Sequence, residues 1–130
     1  MRYLLDTHVL LWYSESPDKL SKKAIDVIFN SSSQLYVSIV SLWEFCIKHG
    51  SGKLPFAGGF PQLCAFIEEA NIEILPITTY TLSHVVDLPY PNAHRDPFDR
   101  LLIATAKTED MTILTADEAI YKYDVKTLWQ

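Results

Sequence analysis

Short apolar runs alternate with longer stretches of helical periodicity along the whole chain. Residues 2–6 (Arg-Tyr-Leu-Leu-Asp) read as a strand, and residues 8–13 (His-Val-Leu-Leu-Trp-Tyr) as a short helix leaving it. Ser21 to about Phe29 places Ala24, Ile25 and Ile28 at helical spacing, with Asp18 or Ser21 as the cap. Residues 35–38 form a second strand. Val40 to His49 reads as a helix closed by Gly50 in the C′ position, followed by loop from Ser51 to Gly59. Residues 61–70 repeat the amphipathic pattern, Ile72 to Leu75 is a strand stopped by Pro76, and residues 78–86 are helical. Leu88 to His94 reads as a long exposed loop. Asp96 as N-cap and Pro97 at N1 open a helix that runs to about Thr108. A strand at 112–115, a helical turn from 117 and a last strand near Val125 to Leu128 complete the pattern. Strands alternating with helices predict an α/β fold with a mostly parallel central sheet flanked by helices on both faces.

The acids fall at particular points of this pattern. Asp6 ends the first apolar run, and Leu35 to Ser38 leads into the helix carrying Glu44. Asp99 lies in the first turn of the helix that Asp96 opens, and Asp117 follows Thr115 by two residues. In a parallel sheet with crossover helices, strand C-termini and helix N-termini share one edge, where such folds place ligands. Four acids converging there repel one another unless a cation sits among them, and hard oxygen donors suit Mg2+ or Mn2+.

Each acid also has a purely structural role to weigh. Asp6 suits capping of the helix at Thr7. Ser41-Leu-Trp-Glu44 matches a capping box, and Glu44 with Lys48 forms an i, i+4 pair on a solvated face. Asp96 and Asp99 resemble a cap and an acid at N3, where the helix dipole lowers a carboxylate's pKa and keeps it ionised. That assigns Asp99 mainly to metal and Asp96 mainly to capping. Asp117 or Thr115 suits capping of the last turn. Convergence on one edge, which capping alone does not require, favours the metal reading.

Length and composition narrow the class. At 130 residues with 48% hydrophobic and 21% charged residues, no repeat and no low-complexity tract, the chain reads as one globular domain over residues 1–130. No stretch approaches the roughly 20 apolar residues of a membrane span, which predicts a cytoplasmic protein without a membrane partner. Cys46 and Cys64, among apolar neighbours, read as buried thiols. A net charge of −5 argues against a generic basic nucleic-acid coat. It leaves room for a nucleic-acid enzyme, because a metal cluster reverses the local sign and Lys48, Lys53, Arg95 and Arg100 flank the acidic segments. For each of these cations, ordinary surface charge is an equal reading. His8, His49, His84 and His94 lack zinc spacing, no Ser/His/Asp set is evident, and no phosphate-binding glycine loop occurs. A haloacid-dehalogenase phosphatase would need a second acid at position 8, which is His, and the later motifs do not suit a receiver-like signalling domain.

Four segments carry a resemblance: LLDTHVLLW at 4–12, VSLWEFCIKHGSGKL at 40–54, HRDPFDRLLIATAK at 94–107 and ILTADEAIYKY at 113–123. In this order, over nearly the full length, the chain resembles the PIN-domain nucleases, specifically the VapC-like toxins of type II toxin–antitoxin modules. The resemblance implies that Asp6, Glu44, Asp99 and Asp117 form the acidic catalytic and metal-binding site, with Thr7 and Thr115 as neighbouring hydroxyls. Many relatives carry an Asn or Ser near the fourth motif, where this chain has Thr115-Ala-Asp117; Asp96 matches the Asp-Pro-Phe-Asp pattern of one subgroup. Thr7, Lys48, Arg95, Asp96, Arg100 and Thr115 are the candidates for substrate contact. The implied activity is a Mg2+- or Mn2+-dependent endoribonuclease that cuts phosphodiester bonds with a metal-activated water. A PIN scaffold that binds RNA or protein without cutting is the alternative. Implied partners are RNA, a homodimeric copy and a cognate antitoxin whose C-terminal segment places an Arg or Lys among Asp6, Glu44 and Asp99. Leu11, Trp12, Ile25 and Phe29 are the expected surplus apolar surface for these contacts.

Overall fold

The computed structural model describes all 130 residues. Its elements are β1 (Arg2–Leu5), α1 (Thr7–Glu15), α2 (Lys22–Ile28), β2 (Gln34–Ser38), α3 (Ile39–Gly50), α4 (Gly59–Glu69) and β3 (Glu73–Leu75). These are followed by α5 (Thr79–Val86), α6 (Pro97–Glu109), β4 (Thr112–Leu114), α7 (Glu118–Tyr121) and β5 (Thr127–Leu128). All strand pairs are parallel, in the order β3-β2-β1-β4-β5.

Side-chain alternation along each strand feeds two cores. Tyr3 and Leu5 of β1, Leu35 and Val37 of β2, and Leu114 of β4 face one side, packed with Val9, Leu10, Leu42, Phe45 and Leu63 from α1, α3 and α4. Leu4 and Ile113 face the other, packed with Leu102, Ile103 and Ala106 of α6 and with Ile120 of α7. A sheet covered on both faces needs nearly continuous apolar strands, and Tyr-Leu-Leu and Thr-Ile-Leu supply them. No helix is long and apolar enough to cross a membrane.

Several local expectations shift. Helix α3 runs through Gly50 and is capped by Ser51, while the left-handed residue is Gly52 at φ +80°. Cys46 is exposed, because α3 turns its neighbour Phe45 to the core, and Cys64 is half-buried on α4, whose core side chains are Leu63 and Ile67. Leu11 is buried and Trp12 packs on Trp129 with ring centroids 5.7 Å apart, so of the four expected surface residues only Phe29 is well exposed, at 64%. The exposed apolar side chains instead cluster on α3 (Ile39, Trp43, Ile47) and α5 (Tyr80, Leu82, Val86).

The stretch expected as a long exposed loop is anchored. Leu88 is buried, Pro91–Ala93 makes a 3-10 turn, and Arg100 reaches beneath the segment from α6. Its guanidinium donates to Pro89 O at 2.7 Å, Leu88 O at 3.3 Å and the Tyr123 hydroxyl at 3.0 Å, and lies 3.9 Å from the centroid of the Tyr90 ring. Arg100→Met is therefore expected to lower stability by about 3 kcal/mol, since a charged donor is lost and the buried Leu88 carbonyl and Tyr123 hydroxyl lose their partner. A urea midpoint equal to that of the wild type would show that the guanidinium does not hold this segment.

Candidate active site

The site begins where chain order reverses. Strands β1 to β3 run one way across the sheet from β1 and β4 to β5 the other way, so a crevice opens beyond the C-terminal ends of β1 and β4. Asp6 stands at that point. It caps α1, with Oδ1 accepting the Val9 amide at 2.8 Å, and Oδ2 accepts the hydroxyl of Thr115 from just beyond β4. Capping and site formation are one arrangement here, not rival ones.

Glu44 enters from α3. Its Oε1 accepts the Thr7 hydroxyl at 2.6 Å and its Oε2 accepts Lys48 Nζ at 2.6 Å. The capping box read at Ser41 does not form: Ser38 caps the helix through the Val40 amide at 3.1 Å, and Ser41 falls inside the first turn, buried. The Glu44–Lys48 pair does form, but Glu44 is only 8% exposed and faces a cavity, not open solvent.

The N-terminus of α6 supplies two more acids. Asp96 accepts the Asp99 amide at 2.9 Å, as a cap should, and Asp99 Oδ2 lies 3.1 Å from His94 Nε2. Asp117 caps α7 through the Ala119 amide at 2.9 Å, while Thr115 Oγ1 accepts the Asp117 amide at 3.0 Å. Asp117 is thus the cap of that turn, and Thr115 holds the Asp117 amide instead of capping the helix itself.

Asp6, Glu44, Asp96, Asp99 and Asp117 line one cavity of about 350 Å3 with Thr7, His8, Trp12, Ser41, Lys48 and Phe98. Lys48 is the only lysine or arginine in its wall. Arg100 is buried beneath the Leu88–Tyr90 segment, and Arg95 lies with its guanidinium 4.9 Å from the Tyr90 ring centroid in a neighbouring groove. The structure thus separates both arginines from the acids and leaves Lys48 as the cation placed among them. His8, Trp12, Phe98 and His94 are not read as site residues in the sequence: the two histidines are weighed there only for zinc spacing, Trp12 as apolar surface for partners, and Phe98 carries no signal of its own.

Charge crowding is visible in the carboxyls. Burial, then the charges of Asp96 and Asp117, push Asp99 from an ordinary 3.8 to about 7, outweighing the His94 hydrogen bond. Burial also raises Asp6 despite the hydrogen bonds from Thr115 and Val9. The helix-dipole expectation for Asp99 is thereby reversed: desolvation and two neighbouring carboxylates exceed the pull of a helix N-terminus. Glu44 raises Lys48, first through their hydrogen bond. No three carboxylate, imidazole or thiol side chains stand close enough to enclose an ion unaided.

The PIN domain model matches residues 3–126. The chain belongs to the PIN domain family. It is 30% identical over 120 residues to Ribonuclease VapC22 of Mycobacterium tuberculosis, covering 90% of this chain and 88% of that protein. Solved structures share the fold of this PIN domain. VapBC2 from Rickettsia felis, bound to a promoter DNA fragment, aligns over 100% of both chains with a TM-score of 0.76 and 17% identity. DNA-bound VapBC from Salmonella typhimurium aligns over 98% of this chain and 97% of its own, with a TM-score of 0.68 and 15% identity.

The raised Asp99 pKa has a thermodynamic consequence in metal-free protein. Between about pH 4 and pH 7 the folded state keeps a proton that the unfolded chain has released, so this group's contribution to stability is lost as pH rises through that window. In EDTA, the melting temperature of the wild type should fall more between pH 5 and pH 8 than that of Asp99→Asn. Parallel pH profiles for the two proteins would contradict the crowding.

Proposed function

We propose that this PIN domain is a metal-dependent endoribonuclease, the toxin of a toxin–antitoxin module. The observation that carries the reading is the wall of five acids around one lysine, at the sheet's switch point, in a chain 30% identical to a protein named as a ribonuclease. The donors are carboxylates and hydroxyls, which suit Mg2+ or Mn2+, and a pair of carboxyls held above their ordinary pKa is what a cation would relieve. The open spacing fits Mg2+, which keeps several waters and binds through one or two carboxylates. Asp6 and Asp99 are the proposed ligands, with Glu44 and Asp117 completing the acidic wall.

A divalent cation in this cavity supplies Lewis acidity and an activated water. The chain's own residues supply position. The Thr115 hydroxyl and Val9 amide hold the Asp6 carboxylate, and the Thr7 hydroxyl and Lys48 hold Glu44. Lys48, half-exposed at the cavity wall, is placed to meet a phosphate. Trp12 and Phe98 offer aromatic faces beside the acids, on which unpaired bases stack.

Partners follow from charge and surface. A cavity this acidic, in a chain at −5, attracts a basic segment of an antitoxin, which would exclude metal and RNA together. A homodimer would cover the apolar side chains exposed on α3 and α5. A toxin that cuts cellular RNA would act in the cytoplasm, where that RNA lies.

Asp6→Asn and Asp99→Asn should each abolish cleavage of a mixed RNA substrate by purified, folded protein in Mg2+ or Mn2+. Full activity in either variant would overturn the assignment, and a wild type that binds RNA without cutting it would support the scaffold alternative. Metal should also stabilise the wild type by about 2.7 kcal/mol at a hundredfold excess over Kd. Identical melting curves in EDTA and in millimolar Mn2+ at neutral pH would count against a metal site.

A further inference from the structure

His94 lies outside the cavity wall and none of the roles above uses it, yet it is held at both ring nitrogens. Nδ1 lies 2.8 Å from the Tyr123 hydroxyl and Nε2 lies 3.1 Å from Asp99 Oδ2. The Tyr123 oxygen in turn accepts from Arg100 Nη1 at 3.0 Å, and the Tyr123 ring packs edge-on against the imidazole with centroids 5.6 Å apart. Arg100 and Tyr123 are each only 5% exposed, so little water competes for these bonds.

Donor bookkeeping gives the chain a direction. Arginine has donors only, so the Tyr123 oxygen accepts from Arg100 and keeps its single hydrogen for another partner. His94 Nδ1 is the partner within reach, and it must be bare to accept. A neutral imidazole with Nδ1 bare carries its proton on Nε2, which then donates to the Asp99 carboxylate. With Asp99 ionised, as at pH 8, the opposite tautomer would set a lone pair against a carboxylate oxygen and leave the buried Tyr123 hydrogen without an acceptor.

We propose that His94 is a positioning residue for the active site: the Arg100–Tyr123–His94 chain fixes the Nε2–H tautomer and holds Asp99 Oδ2, leaving Oδ1 for the cation. The proposal rests on the metal-dependent reading of this site. Its logic is that of partners that orient a metal's ligands, whose loss costs about ten- to a hundredfold in metal affinity or activity. Tyr123, which lies 24 residues from Asp99 in sequence, thereby affects the site without touching it.

The test compares full-length wild type with Tyr123→Phe, His94→Ala and His94→Gln. Long-range 1H–15N correlation spectra at pH 8 in EDTA read the His94 tautomer without metal or RNA. Mn2+ titration followed by electron paramagnetic resonance reads affinity, and urea unfolding verifies that each variant is folded. The wild type should show the Nε2–H form, and Tyr123→Phe, which keeps the ring, a mixture of tautomers. Mn2+ affinity should fall about tenfold or more in His94→Ala, and be partly restored in His94→Gln, whose amide can still donate to Asp99. An Nδ1–H tautomer in the wild type, or wild-type Mn2+ affinity in folded His94→Ala, overturns the proposal. A wild type with the stated tautomer and Mn2+ affinities that cuts no RNA would instead overturn the nuclease reading and leave the positioning role standing.

Discussion

The hydrogen bonding of Asp6 ties the architecture together. One carboxylate closes the N-terminus of α1 and crosses to Thr115 beyond β4, at the point where the sheet changes direction. The backbone reinforces the same junction, since the Asp6 amide donates to Leu114 O at 3.2 Å. A parallel sheet built in two directions from its centre leaves a gap at this edge, and the residues bordering it must satisfy helix N-termini as well as themselves. Acids do both. Asp6, Asp96 and Asp117 each cap a helix that starts at this edge, so the requirement for caps gathers negative charge there.

Gathering that charge works against folding. Asp6 and Glu44 are each 8% exposed, and Lys48 is the one ammonium or guanidinium in the cavity wall. Arg100, which could have neutralised it, is turned away to hold the Leu88–Tyr90 segment. The outcome is a carboxyl at about 7 in Asp99 and a raised Asp6. A protein selected only for stability would place a basic or apolar side chain in this crevice. Strain of this kind in a cavity favours a ligand that carries positive charge, whether a cation or a basic side chain from a partner.

Much of this was legible in the sequence, for reasons that differ between elements. Strand-end acids are easy to see, because an ionised group terminating an apolar run has no place in a core. The sheet and its helices follow from periodicity, and Asp96-Pro97 marks its helix start within a residue. The errors arise where a local pattern has two solutions. Ser38 and Ser41 both precede apolar helical residues, and only the strand's end selects Ser38 as the cap. Cys46 sits among apolar neighbours in sequence, yet Leu42 and Phe45 define the buried face and exclude it. Arg100 reads in the sequence as a candidate for substrate contact and His94 as a loop residue without zinc spacing, and the contacts they make have no local signal. Their partners include Tyr123, which lies 23 and 29 residues away, and nothing in local spacing announces such contacts.

The central claim is that the acids at the switch point form one cation site. Anomalous diffraction from crystals of the wild-type protein soaked in millimolar Mn2+ tests it most directly. The account predicts an anomalous peak within the cavity, bonded to carboxylate oxygens of Asp6 and Asp99. Crystals at neutral pH with an accessible cavity and no Mn2+ peak there, or with Mn2+ bound only elsewhere, would contradict it.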